Sequence, residues 1–223
     1  MFLADEILPP DPDGLDVLHD REYRVRAFRL SDDRLLIRGA VRDQKPPGVY
    51  LAEDPDPLTM HHMCVDLTVE FPSMVIVDVD VVFEAHPHLS CVDIIGAYDG
   101  LVGLSITRGF THKVRDLFGG PRGCTHTTAL LLAMGPVATQ CGWSMRVADA
   151  RRDGKSFMTM RAEMTPEQRE QSLRGNLNTC HVWAEDGPMI AASREGRPME
   201  MMLQIRQRFA DLGIPEEEWV DRV

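Results

Sequence analysis

Apolar and polar residues alternate strongly in the first third of the chain and recur at helical spacing afterwards. From Met60 to Glu70, His61, Met63, Val65, Leu67 and Val69 share one strand face; His62, Cys64, Asp66, Thr68 and Glu70 share the other. Val75 to Glu84 alternates too, with Val75, Val77, Val79, Val81 and Phe83 opposed to Ile76, Asp78, Asp80, Val82 and Glu84. Phe71-Pro72-Ser73 between them predicts an antiparallel hairpin with one buried face. Upstream, Arg21 to Leu30 and Arg34 to Val41 read as a second hairpin turning at Ser31-Asp32-Asp33. In its first strand Tyr23, Val25 and Ala27 take one face, and arginines 21, 24, 26 and 29 read as a solvated face. Residues 43 to 59 read as turn-rich.

Helical spacing then takes over. Pro87 suits the first position of a helix running to about Tyr98. Thr107 to Phe118 carries Phe110, Val114 and Leu117 on one stripe. Gly119-Gly120-Pro121-Arg122-Gly123 forbids regular structure, after which Thr125 opens the apolar run Ala129 to Met134, capped by Cys124 or Thr125. Pro136 must kink that helix or start a new turn. Residues 149 to 165 read as charged and turn-like. Thr165-Pro166-Glu167-Gln168 is a capping-box start for a helix ending near Gly175. Met189 to Ala192 is too short to assign, and Pro198 to Leu212 is amphipathic.

Sheet first and helices after predicts an α+β fold: an N-terminal antiparallel β-sheet of about four or more strands packed against C-terminal helices. The expected organisation is an irregular arm over 1–20, a single α+β domain over 21–213 and a tail over 214–223.

The formal net charge of −11 argues against nucleic acid or an anionic membrane as a partner and leaves a small-molecule substrate as the expected one. A homo-oligomer is compatible with the sequence. The 5 irregularly spaced cysteines form no disulfide pattern, and no signal segment or membrane span is visible, so the expected setting is cytoplasmic with reduced thiols.

Chemistry clusters where histidines and cysteines gather: His61, His62 and Cys64; His86, His88 and Cys91; Cys124 and His126; Cys180 and His181. None of these spacings is a specific metal signature. Zinc or a similar divalent ion is nevertheless a candidate cofactor, with His61, His126 and His181 as candidate ligands. Adjacent on a strand, His61 and His62 point to opposite faces, so only one can join a given site. His126 lies in the first turn of a helix, whose positive end favours neutral imidazole, a form able to act as base, ligand or donor. Cys124 is at a helix start that favours thiolate, although residues two apart in a helix do not face one another, which weighs against a Cys124–His126 pair. Gly123, Cys124, Thr125 and Arg122 form the candidate oxyanion- or substrate-binding edge, and Asp66 or Asp80 the candidate group to orient an imidazole.

The run Gly119-Gly120-Pro121-Arg122-Gly123-Cys124-Thr125-His126 before Leu130-Leu131, with Gln140 closing the helix, resembles a bacterial family known as domain of unknown function 2889. His61-His62-Met63-Cys64-Val65-Asp66, Pro87 with Cys91, Gly109-Phe110-Thr111 and Cys180-His181 carry the likeness further, over most of residues 20 to 195. That resemblance implies a place among bacterial proteins that degrade aromatic compounds, including a lyase that releases formaldehyde from lignin-derived, phenylcoumaran-type dimers. Three expectations follow: a small-molecule lyase using His126, one of His61 or His62, and Asp66 in acid–base chemistry, with Cys124 beside them; a hydrolase using a metal-bound water; and a non-catalytic ligand-binding or oligomer-forming module.

Overall fold

A computed structural model describes residues 7–174, 176–197 and 200–222. Four strands form one antiparallel sheet in chain order: β1 (Asp20–Ser31), β2 (Arg34–Lys45), β3 (Leu58–Glu70) and β4 (Val75–Ala85). A 3-10 helix, Leu89–Leu101, leads to α1 (Phe110–Phe118) and to the long α2 (Thr125–Arg152). Shorter helices follow: α3 (Phe157–Ala162), α4 (Pro166–Leu173), α5 (Pro188–Arg194), α6 (Leu203–Asp211) and α7 (Trp219–Arg222). The chain is thus α+β, a sheet followed by helices.

The inner sheet face is the alternating one. Leu35, Ile37, Val41, Met63, Val65, Leu67 and Val69 are fully or almost fully buried against Leu130, Leu131, Met134 and Ala138 of α2 and Phe110, Val114 and Phe118 of α1. The helix comes close because Gly39 lies beneath it. A Cβ on Gly39 would sit 2.9 Å from Met134 Sδ and 3.0 Å from Leu130 Cδ1. Farther along, Arg29 bonds Asp149 at 2.7 Å and Arg152 bonds Asp32 at 2.5 Å, tying the end of α2 to the first hairpin.

Several elements differ from expectation. Helix α1 begins at Phe110 rather than Thr107 and buries Phe118 in place of the exposed Leu117, and a short 3-10 helix, Gly120–Arg122, occupies the stretch expected to be irregular. Four further differences have a local reason. β2 continues to Lys45, because pairing with β3 through Asp43–His61 and Lys45–Leu58 supplies partners for backbone that reads as turn. A bulge between Thr68 and Val69 shifts β4, so that Ile76 faces inward with Val79, Val81 and Phe83, while Val77 loses its place in the alternation. The helix after Pro87 begins only at Leu89, with His88 as its cap, and is of the 3-10 type. Helix α2 runs through Pro136 and past Gln140 to Arg152; the proline ring sits on the exposed side, and the apolar stripe continues beneath it through Ala138 and Met145. Much of the region expected to be turn-like is therefore helix, in the end of α2 and in α3.

At α4 the capping box is formed as expected, with Gln168 N donating to Thr165 Oγ1 and Thr165 N to Gln168 Oε1. Its expected end at Gly175, and the expected start of the last amphipathic helix at Pro198, fall outside the described residues; the observed helix there is α6. Met189 to Ala192 lies within α5. A second apolar cluster joins Ala150 of α2 to Phe157, Met158, Met201, Phe209 and Trp219. All five cysteines are free thiols. No helix among the described residues is long and apolar enough to cross a membrane.

The close approach at Gly39 generates a stability prediction. Gly39→Val forces three new carbon atoms against Met134 and Leu130, and overpacking of this kind costs about 1–3 kcal/mol. The urea midpoint should fall accordingly. An unchanged midpoint would mean that α2 is not held at the distance described.

Candidate functional site

The site begins with one residue on the wrong side of a strand for its chemistry. Asp43 continues the inward phase of Leu35, Ile37, Gly39 and Val41, so β2 carries a carboxylate onto the buried face. Its side chain is 2 % exposed. A buried charge demands partners, and the neighbouring strands supply them at directly opposed positions. Asp43 pairs with Arg21 on β1 and with His61 on β3. Arg21 donates from Nε at 2.5 Å and from its terminal nitrogen at 2.6 Å, one to each carboxylate oxygen.

The first turn of α2 closes the site from above. His126 Nε2 lies 3.0 Å from Asp43 Oδ2. His61 Nδ1 approaches the same oxygen at 3.4 Å but off line, and this buried nitrogen has no hydrogen-bond partner. The two imidazoles stack, with ring centroids 3.8 Å apart and planes 25° from parallel. His19, just before β1, is 3.6 Å from Asp43 Oδ1.

The start of α2 is fixed by its surroundings. Cys124 is the cap residue, its backbone N–H donating to the buried Tyr98 hydroxyl at 2.8 Å. Thr128 Oγ1 donates to Phe118 O at 3.1 Å. A Cβ at Gly123 would meet Phe118 O at 2.5 Å, so the loop packs against the end of α1 only with glycine there. Cys124 Sγ then lies 3.7 Å from His126 Nδ1, so His126 has Asp43 at one nitrogen and a thiol at the other.

Electrostatics follow the geometry. Burial opposes the Asp43 charge, but the hydrogen bonds and charge of Arg21, with His126 and His19, outweigh it and bring its pKa to about 2. The carboxylate raises Arg21 above its usual range, against burial. Burial lowers His61, more than Asp43 raises it. Burial and then the neighbouring His61 lower His126 in the same way. The site is therefore a carboxylate–guanidinium pair beside two neutral imidazoles near pH 7.

Of the residues singled out in the sequence, His61, His126 and Cys124 come together here. His62 faces the other side of the sheet, beside a cavity of about 190 Å3 lined also by Glu22, Arg24, Ala40 and Arg42. Its Nε2 is 3.6 Å from Cys64 Sγ. Asp66 is on that outer face, paired with Arg38 at 2.5 Å, and Asp80 lies opposite it on β4. Neither orients a site imidazole; Asp43 occupies that place. Arg122 bonds the carbonyls of Asp116 and Arg115 at the end of α1, which corrects its expected role on an anion. The Cys124 amide is likewise committed to Tyr98 rather than to an anion. His181 is exposed in a short 3-10 helix, and among the described residues the group able to hold a metal ion is Asp43, His61 and His126. Two corrections explain the missed residues. Arg21 and Arg29 point inward to Asp43 and Asp149, leaving only Arg24 and Arg26 of the four on the outer face, and Asp43 lies two residues beyond the apolar alternation, in a strand that runs on to Lys45.

The chain matches the family described as "Protein of unknown function (DUF2889)" over residues 19–140. It belongs to that family. No curated relative and no solved structure matches it. The family segment contains His19, Arg21, Asp43, His61, Cys124 and His126, and ends part-way along α2.

The pKa directions set an acid response. Unfolded, both histidines take up protons near their ordinary value of 6.5, while folded they resist. Below that value the unfolded chain binds more protons, so stability falls with falling pH. Asp43 acts with the same sign lower down, between its ordinary 3.8 and about 2. The melting temperature should drop between about pH 7.5 and about pH 5.5, and less so in His126→Gln. An equal drop in the variant would remove His126 as a source.

Proposed function

We propose that the protein is a small-molecule lyase working by acid–base chemistry, with His126 as proton carrier and Asp43 as the residue that orients it. The observation that carries this is the 3.0 Å contact between His126 Nε2 and a buried, ionised Asp43. Donation of Nε2–H to the carboxylate selects the tautomer whose Nδ1 lone pair, 3.7 Å from Cys124 Sγ, takes the proton. Asp43 then stabilises the imidazolium that forms. Stacked at 3.8 Å, His61 disfavours a second positive charge beside it, so the pair handles one proton at a time. Thr125 N–H, in the first turn of α2, would steady negative charge on a substrate oxygen.

The substrate class is the one implied by the family resemblance, phenylcoumaran-type lignin-derived aromatics. Withdrawal of the phenol proton by His126 lets the ring carbon–oxygen bond break, giving a quinone methide and a phenoxide that takes the proton back from His126. Removal of the hydroxymethyl O–H proton, again by His126, then breaks the carbon–carbon bond and releases formaldehyde; the electron pair re-forms the aromatic ring, and the quinone-methide oxygen takes up that second proton.

A second reading is a metal-dependent hydrolase. It is favoured by Asp43 Oδ2, His61 Nδ1 and His126 Nε2 lying within 4.8 Å of one another, and by the unpartnered His61 nitrogen. A bound zinc ion would supply a water acidic enough to attack near neutral pH. Arg21 would then hold the carboxylate ligand in place, as hydrogen-bonded outer residues do in metal sites.

His126→Ala should lower turnover on phenylcoumaran dimers by on the order of a hundredfold with a nearly unchanged melting temperature. An active variant that melts earlier would make His126 a structural residue and sink the lyase reading. Elemental analysis separates the two chemistries. Metal-free protein that turns over supports the lyase, and stoichiometric zinc lost in His61→Ala supports the hydrolase.

A further inference from the structure

The C-terminal helices enclose a second polar site, remote in sequence from the histidines and outside the family segment. A cavity of about 160 Å3 is lined by Met158, Arg161, Arg169, Ser193, Arg197 and Val220, among others. It lies between α3, α4, α5 and the last helix. Three guanidinium groups border it in a chain with a net charge of −11.

Two of these cations are under-used. Arg161 gives one hydrogen bond, to Ser193 Oγ at 3.1 Å. Arg169 gives one, to Met164 O at 2.5 Å, and its buried Nε has no partner. Neither forms a salt bridge with a carboxylate among the described residues, whereas Arg197 is paired with Glu195 at 2.7 Å and Arg194 with Glu170 at 3.0 Å. A guanidinium carries five donors, and leaving most of them unmet beside a second cation is costly. Burial accordingly weakens the hold of Arg161 on its proton. Gly196, with φ +73°, lies flat against Arg169; a Cβ there would stand 3.4 Å from the guanidinium carbon.

We propose that this cavity binds a doubly charged oxyanion of the phosphate class. Arg161 and Arg169 supply two positive charges and forked donors, the geometry that suits phosphate oxygens. Ser193 is nearly buried and accepts from Arg161, so its own O–H remains free to donate to the ligand. Arg197 is neutralised by Glu195 and adds donors at the rim rather than net charge. The anion would join α3, α4 and α5 by satisfying groups that each of them leaves open.

Calorimetric titration of the full-length protein with inorganic phosphate, at ionic strength held constant with sodium chloride, tests this. Saturable one-to-one binding is expected, with a melting temperature that rises with phosphate and not with chloride. Arg161→Gln and Arg169→Gln should each weaken binding by about tenfold or more. Each also removes a partly buried charge that lacks a carboxylate partner among the described residues, so the phosphate-free variants should melt no earlier than the parent. Arg169→Lys, which keeps the charge and loses the fork, should fall between parent and Arg169→Gln. A parallel titration with phenyl phosphate distinguishes sources: tighter binding than inorganic phosphate indicates a phosphorylated organic ligand, and weaker binding indicates the free ion. The proposal is overturned if phosphate gives no saturable heat, if chloride stabilises equally, or if binding survives both glutamine variants.

Discussion

The burial of one carboxylate organises the first half of this molecule. Asp43 stands where the alternation of β2 calls for an apolar side chain, and its charge survives there only because β1 brings Arg21 to the same level. Removing Arg21 would leave the buried carboxylate with only imidazole partners, at less than the roughly 3–5 kcal/mol of a fully buried pair because Arg21 is itself 35 % exposed. The pair therefore ties the register of β1 to that of β2. It also leaves Oδ2 within 3.0 Å of His126 Nε2, with His61 3.4 Å away and off line, so the interaction that fastens the sheet also positions the carboxylate beside the imidazoles.

Helix α2 depends on the same corner. Its start is held by the Tyr98 hydroxyl, by Phe118 O and by the contact that only glycine allows at position 123. Its middle is held down on Gly39, and its far end by Arg29 and Arg152. These restraints define where His126 stands relative to β2 and β3. The role proposed for His126 would need such definition, because proton transfer requires hydrogen-bond distance.

Past residue 140 the chain changes character. The second half of α2 enters an apolar cluster with Phe157, Met158, Phe209 and Trp219, which shares none of its buried residues with the sheet core. Polar chemistry is handled differently in the two places. Around Asp43 opposite charges meet within hydrogen-bond distance; around Arg169 like charges face a cavity with donors to spare.

The hairpins of β1–β2 and β3–β4, the capping box at Thr165 and the start of α2 after Gly123 are legible in the sequence, because alternation, capping and backbone freedom are properties of neighbouring residues. The opposed directions of His61 and His62 are legible for the same reason. What needed the fold is the partner set. Asp43 reads as turn unless cross-strand pairing with His61 extends β2. Arg21 reads as solvated until the register sets it beside that carboxylate. The Cys124–His126 contact at 3.7 Å conflicts with helical spacing only if both residues are helical; Cys124 is the cap, with extended backbone, and its side chain leaves the helix in another direction. The sequence by itself determined that His61, Cys124 and His126 carry chemistry and that His61 and His62 point to opposite faces of their strand. Only the tertiary structure decided which of them meet, because strand register and helix docking depend on contacts between residues far apart in the chain.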